Sequence, residues 1–275
     1  MEKIIPFTKS HCGGNDFICV DNRNEIVPKE IVSFVKKVCQ RKFGIGADGL
    51  LLLERDKRLD YKMRYFNSDG SKAEFCGNGA RCLAVFAHMC GIRKERMRLR
   101  SNAGTHTVYI KDTIVKLKMP SPEDIRQAQD LALQRKKGRH KACPYFVRIG
   151  VPHIVIFSEE IDRLDVVELG KEIRYNPLFS KEGTNVDFCQ FLGRNRLKVR
   201  TYERGIEDET YSCGTGAVAC AVIAYLKGMV SSPVEIIFSK NVDTIYFDKK
   251  LKEIFLEGKV EVVYEGRLKN FAIQD

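Results

Sequence analysis

Tryptophan is absent from this chain, histidine appears only five times, and no apolar run approaches the roughly 18 residues of a membrane span. A spanning helix is therefore not expected. The ten cysteines form no CxxC pair and no paired Cys/His ligand set, so the pattern argues against a structural metal site. They also fall well short of the density of a disulfide scaffold. The opening stretch Met1-Glu2-Lys3-Ile4-Ile5-Pro6 has no apolar signal-peptide core, and a cytoplasmic protein with reduced thiols is the expectation. There is no P-loop or pyridoxal signature, and no cofactor is expected.

Positive charge, by contrast, is plentiful. The net charge is +11, with basic clusters at Arg93–Arg100 and Arg135–Lys141. Neither cluster is interleaved with stacking aromatics, which argues against a nucleic-acid partner. Solvated basic faces, or attraction for a small anionic substrate, account for the charge more simply. A chain of 275 residues that is 44% hydrophobic suits two modest domains or one large one.

The most telling feature is a heptapeptide that occurs twice. Cys76-Gly77-Asn78-Gly79-Ala80-Arg81-Cys82 is echoed 137 residues later by Cys213-Gly214-Thr215-Gly216-Ala217-Val218-Ala219. Each copy puts a cysteine before a predicted helix, where free backbone N–H groups and the helix dipole favour a thiolate. The match extends further. Lys62–Asn67 pairs with Lys198–Glu203, Gly91 with Gly228, and Gly46-Ala47-Asp48 with Gly183-Thr184-Asn185. The chain therefore reads as a duplicated α/β fold with pseudo-two-fold symmetry, each half presenting one cysteine to a shared cleft.

Along the chain, strands are expected at 3–8 and 17–21 around a polar loop, Ser10 to Asp16. A helix is expected over 28–43, and another from Cys76 to about Cys90. Ser121-Pro122-Glu123-Asp124 has the look of a helix start leading into a polar stretch up to Lys141. Asp165 is placed to cap a helix running through Ile173, and short strands fill most of the rest.

Two opposed thiols, one deprotonated and one not, suit the inversion of a carbon stereocentre. Spare amides at the helix starts would hold a carboxylate beside the reacting carbon, which implies an amino acid or hydroxy acid. Six stretches, in order, resemble the diaminopimelate epimerase family over essentially the whole chain. They are His11–Phe17, Gly44–Gly49, Phe66–Ser71, Cys76–Cys82, Tyr202–Gly205 and Ser212–Ala217. The resemblance implies cofactor-independent interconversion of LL- and meso-diaminopimelate in lysine and peptidoglycan-precursor synthesis, and a homodimer. It implies two like-folded α+β domains, each a mixed or antiparallel sheet wrapped around a central helix. The expected division is 1–119 plus 265–275 against 120–264.

The resemblance also assigns residues. Cys76 and Cys213 match the catalytic pair, described as proton donor and acceptor from LL to meso. Gly77, Asn78, Gly214 and Thr215 match the amide cradle for the α-carboxylate. Asn15, Asn67, Asn185, Glu203 and Arg204 match substrate contacts, with Arg204 on the distal carboxylate. His153 and Glu203 match groups that support the cysteines, and Tyr264 matches a dimer-interface tyrosine. Three positions depart from the family pattern. Val151 stands where Asn usually precedes Pro-His, Gly49 where many members have Gln, and Cys12 where Gly is usual. The first two leave room for a racemase of the same fold acting on another amino acid, such as glutamate. A more distant alternative is a non-catalytic carboxylate- or nucleic-acid-binding protein. Cys82, Cys19, Cys39, Cys90, Cys189 and Cys220 read as packing residues, and Cys12 as an incidental thiol.

Overall fold

Near the N-terminus, Ile5–Cys12 (β1) and Asn15–Asp21 (β2) pair antiparallel, with Cys12 opposite Asn15. The turn is only Gly13-Gly14, both at positive φ, so most of the expected loop is strand instead. Next comes helix Ile31–Cys39 (α1), shorter than its periodicity suggested. It buries Phe34, Val35 and Val38 against Ile18, Val20, Leu50 and Leu52. Gly49–Glu54 (β3) runs parallel to β2, and Tyr61–Asn67 (β4) runs antiparallel to β3. Lys72–Ala73 (β5) adds a short edge to β4. Helix Gly77–Met89 (α2) then leads to Arg96–Ser101 (β6), Gly104–Lys111 (β7) and Ile114–Met119 (β8). Strand β6 is parallel to β4, and β6, β7 and β8 pair antiparallel in sequence.

This computed structural model describes residues 4–128, 144–176 and 183–269. The expected polar stretch up to Lys141 falls mostly outside them. Its start is not a helix: Glu123–Gln127 (β9) is an exposed strand pairing antiparallel with Tyr145–Ile149 (β10). A local capping pattern is outweighed here because no apolar helical face follows it, while the β10 edge offers backbone partners. Val151–Phe157 (β11) completes a hairpin with β10. Helix Val166–Arg174 (α3) starts at Asp165, whose carboxylate accepts the Glu168 N–H. Its Gly170 lies so close to Tyr202 that a Cβ there would collide with the ring.

Asn185–Gly193 (β12) is parallel to β11, and Arg196–Glu203 (β13) is antiparallel to β12. Asp208–Thr210 (β14) pairs with β13, and helix Gly214–Leu226 (α4) follows. Val234–Ile237 (β15) is parallel to β13, and Val242–Phe247 (β16) and Ile254–Lys259 (β17) follow antiparallel. Finally Glu261–Leu268 (β18) pairs antiparallel with β1. Among the described residues no helix is long and apolar enough to cross a membrane.

The fold is mixed α+β, and the backbone contacts divide it into two compact units. One runs through Leu117 and takes the chain up again at Gly258; the other is Lys118–Glu257. The pairing of β18 with β1 thus puts Tyr264 in the first unit, not in the second as the sequence division had it. Each unit repeats the same internal order: hairpin, helix, parallel strand, antiparallel strand, short edge, buried helix, parallel strand, antiparallel strands. In each, the second helix is the core. Helix α2 is buried from Asn78 to Ala87 and packs on β1–β4 and β7; α4 is buried from Gly216 to Ala224 and packs on β10–β13, β15 and β16. Small residues let strands close around both helices, and glycines at positive φ, Gly91 and Gly228, end them.

Strand registers refine the internal alignment. Phe17 pairs with Gly49 as His153 pairs with Asn185, and Leu51 pairs with Tyr65 as Asp187 pairs with Thr201. Asn185 therefore corresponds to Gly49, one residue on from the Asp48 that sequence spacing suggested. Gly44–Gly49 also has the glycine spacing of a dinucleotide-binding loop. It leaves a helix and enters a strand, however, which is the reverse of the order such a loop requires.

Candidate active site

Cysteine at the helix start is an N-cap in both units. Cys76 has extended dihedrals, and its Sγ accepts the Gly79 N–H at 3.4 Å. The sulfur lies 3.5 Å from Asn15 Oδ1, which also takes Asn78 Nδ2 at 3.4 Å. Asn15 is anchored in turn, donating to Asp48 Oδ2 at 2.8 Å. Asn78 Oδ1 accepts from Arg81 at 2.6 Å, and Arg81 also donates to Cys12 Sγ at 3.0 and 3.1 Å. Cys12 is thus no incidental thiol: it seats the fully buried guanidinium that orients Asn78. Asn67 sits farther out, bonding Ser71 in an exposed turn, although Ser68 N–H reaches back to the Asp48 carbonyl.

Nearby, Asp16 joins Lys9 at 2.7 Å and Arg41 at 2.8 Å. Burial alone would raise its pKa, but these hydrogen bonds outweigh it and bring it down to about 2. Gly49 has no space for the glutamine expected of relatives. A Cβ there would lie 2.5 Å from Phe66 O and 2.6 Å from the Tyr65 ring.

In the second unit, Cys213 is 5% exposed and its Sγ lies 3.5 Å from Thr215 Oγ1. Burial holds the thiol well above its ordinary pKa. The charges of Glu203 and Asp187 push the same way, against the Thr215 hydroxyl and the Gly216 amide. Glu203 accepts Thr210 Oγ1 at 2.9 Å, and burial raises its pKa too. His153 is fully buried, with Nδ1 2.7 Å from Asp187 Oδ2 and Nε2 without a hydrogen-bond partner among the described residues. Asn185 is also buried; its amide donates to Pro152 O at 3.1 Å and accepts Arg204 N–H at 2.8 Å, so it joins the Arg204 backbone to the start of β11. Arg204 is half-buried, and Gly214 and Thr215 open α4 as Gly77 and Asn78 open α2.

Of the expected residues, Asn15, Cys76, Gly77 and Asn78 gather in the first unit. His153, Glu203, Cys213, Gly214 and Thr215 gather in the second, with Asn185 and Arg204 at the border of that group. Val151 opens β11 at the register position that Asn15 holds in β2. Cys82 is packed, as expected, and burial raises its pKa. Tyr264 is exposed on β18, edge-on to Phe7 at 5.9 Å. Sequence reasoning missed Asp48, Arg81 and Asp187. Asp187 did leave a signal, as a lone acid in the otherwise apolar run Val186–Cys189.

Two solved structures share this fold at low sequence identity. A hydroxyproline epimerase from Agrobacterium vitis aligns with a TM-score of 0.67 at 15% identity, over 99% of this chain and 93% of that one. A PhzF-family phenazine biosynthesis protein from Bacillus anthracis gives 0.69 at 14%, over 97% and 99%. Sequence relatives are much nearer. The diaminopimelate epimerase of Aquifex aeolicus is 41% identical over 96% of this chain and 98% of its own length. That of Hydrogenobaculum is 39% identical over 95% and 97%. Residues 7–123 and 145–263 match the diaminopimelate epimerase family, a span that takes in both cysteine-capped helices and the groups around them. The chain belongs to that family.

Proposed function

We propose that this chain is an isomerase that interconverts LL- and meso-diaminopimelate by moving one proton at an α-carbon, on the route to lysine and peptidoglycan precursors. The observation that carries the reading is the twofold seat of cysteine. In a member of this family, both units put a thiol at the N-cap of their buried helix. Inversion needs a base on one side of the carbon and an acid on the other. One sulfur, as thiolate, takes the α-proton and becomes a thiol, while the other thiol delivers its proton and becomes a thiolate. The electron pair left by the first transfer forms the new C–H bond, so no cofactor takes part.

Burial in the second unit favours Cys213 as the thiol in the free protein. In either direction the thiol donates and the thiolate accepts, so the roles of Cys76 and Cys213 exchange when the reaction reverses. Backbone amides of Gly77-Asn78 and Gly214-Thr215 would hold the α-carboxylate. Asn15 and Asn67 would contact the substrate, and Arg204 would bind the distal carboxylate as a fork. His153 and Glu203 would support Cys213. The working enzyme is proposed to be a cytoplasmic homodimer.

The test is α-deuterium incorporation in D2O over a panel of amino acids. Diaminopimelate should exchange, and Cys76→Ala or Cys213→Ala should abolish its epimerisation, because one-sided proton transfer cannot invert the carbon. Exchange of glutamate without diaminopimelate would sink this reading in favour of the racemase that Val151 and Gly49 suggest.

A further inference from the structure

Asp187, His153 and Thr201 are all fully buried within the second unit. Asp187 Oδ1 accepts the Thr201 hydroxyl at 2.8 Å, and Oδ2 meets His153 Nδ1 at 2.7 Å. The acid is also clamped against the Cys213 helix, since a Cβ at Gly216 would collide with its Oδ1. Packing against the first turn of α4 puts it where the positive end of the helix favours a negative charge. A carboxylate so placed has no proton to give, so the proton between it and the imidazole belongs to Nδ1. Nε2 has no hydrogen-bond partner among the described residues, so in the neutral Nδ1–H tautomer it stands as a bare acceptor in a buried site, within electrostatic reach of Glu203.

The fold does not require this pair. At the same register positions the first unit has Phe17 and Leu51, both buried and apolar, and Leu51 packs on Gly79 much as Asp187 packs on Gly216. Replacing such apolar residues by a buried acid and imidazole lowers stability unless every partner is in place.

We propose that Asp187 is a positioning residue for the reaction, fixing His153 as its Nδ1–H tautomer so that an unprotonated Nε2 serves the Cys213 side of the site. The inference rests on the proposed epimerisation only for its kinetic arm. The imidazole state is read on the free protein.

Two-bond ¹H–¹⁵N correlation spectra of the full-length protein, without substrate, report the tautomer, and His153→Gln identifies the signal. The wild type should show Nδ1 protonated and Nε2 bare. In Asp187→Asn, Thr201 still donates to Oδ1, so the amide NH2 faces Nδ1 and the proton should move to Nε2. With that inversion kcat for diaminopimelate should fall by about 10²-fold or more, while KM changes less than about threefold. A wild-type Nε2–H signal, an unchanged tautomer in the variant, or an inverted tautomer with unchanged kcat would each overturn the proposal. Should Asp187→Asn fail to fold, the wild-type spectrum and His153→Gln decide: kcat lost with KM retained supports it, full activity overturns it. A wild type inactive on diaminopimelate but showing the Nδ1–H tautomer would count against the reaction and leave the positioning geometry standing.

Discussion

The two units solve one folding problem with different chemistry under the cysteine. Beneath α2 the sheet offers Phe17 and Leu51, and the half-buried Cys76 finds polar company in Asn15, whose Oδ1 also takes the buried Asn78. Beneath α4 the same positions hold His153 and Asp187, and Cys213 is almost fully buried beside Glu203. Duplication preserved the frame: strand order, register and the helix N-cap. The polar groups diverged. Two like thiols are thereby given unlike environments, which is what separates an acid from a base at one pH.

The largest test of this contrast is removal of either sulfur. Cys76→Ala and Cys213→Ala should each lower epimerisation by on the order of 10²–10⁴-fold, because a remaining acid or base alone cannot complete an inversion. Steady-state rates measure it, and a variant retaining near-full turnover would dissolve the equivalence of the two seats.

Packing under the two helices should respond unequally. At Gly216 an added methyl meets the fixed Asp187 oxygen, whereas at Gly79 it meets the Leu51 and Met63 side-chain ends at 3.2 and 3.4 Å and the Cys76 Cβ at an ordinary 3.5 Å. Gly216→Ala should therefore destabilise by roughly 1–3 kcal/mol, and Gly79→Ala by less. Denaturant melts compare them, and equal losses would mean that Asp187 is free to move.

Much of this was legible in the sequence because glycine spacing and apolar periodicity are local. Both helix caps, the duplication and the cysteine pair follow from them. Asp187 showed only as a lone acid in an apolar run, and its role was not legible, since its partners Thr201 and His153 come from other strands and meet it only through register. Cys12 was misread for the same reason: the guanidinium it holds comes from Arg81, far along the chain. The strand at Glu123–Gln127 was missed because an exposed edge strand carries no apolar signature and depends on β10 for its hydrogen bonds.

Proton affinity gives a further prediction. Burial pushes Cys19 and Cys39, both in the first unit, up to about 12 from an ordinary 9.0. The folded state thus holds these protons where the unfolded chain releases them. Their contribution to stability is complete below pH 9 and is lost as pH rises from there towards 12. Denaturation midpoints should fall on this alkaline limb, and Cys19→Ala should flatten it. Cys213, raised in the same direction, should be alkylated more slowly than a free thiol at pH about 8. Alkylation as fast as that of a free thiol would erase the asymmetry drawn here.

The smallest expected effect concerns Val151. Its register equivalent in the first unit, Asn15, supplies the carbonyl oxygen beside Cys76, and nothing comparable can come from valine. Val151→Asn should give the second unit that polar group, worth about one hydrogen bond, and lower KM for diaminopimelate roughly two- to tenfold with kcat little changed. Asn15→Val should do more harm than this gain, because Asn15 also ties Asn78 to Asp48. The panel of amino acids gives the result its meaning. If Val151→Asn improves diaminopimelate, valine is a tolerated loss in an otherwise ordinary family member. If it weakens diaminopimelate while another amino acid is turned over better by the unaltered chain, valine is a selectivity device, and the asymmetry between the two units extends from proton transfer to substrate choice.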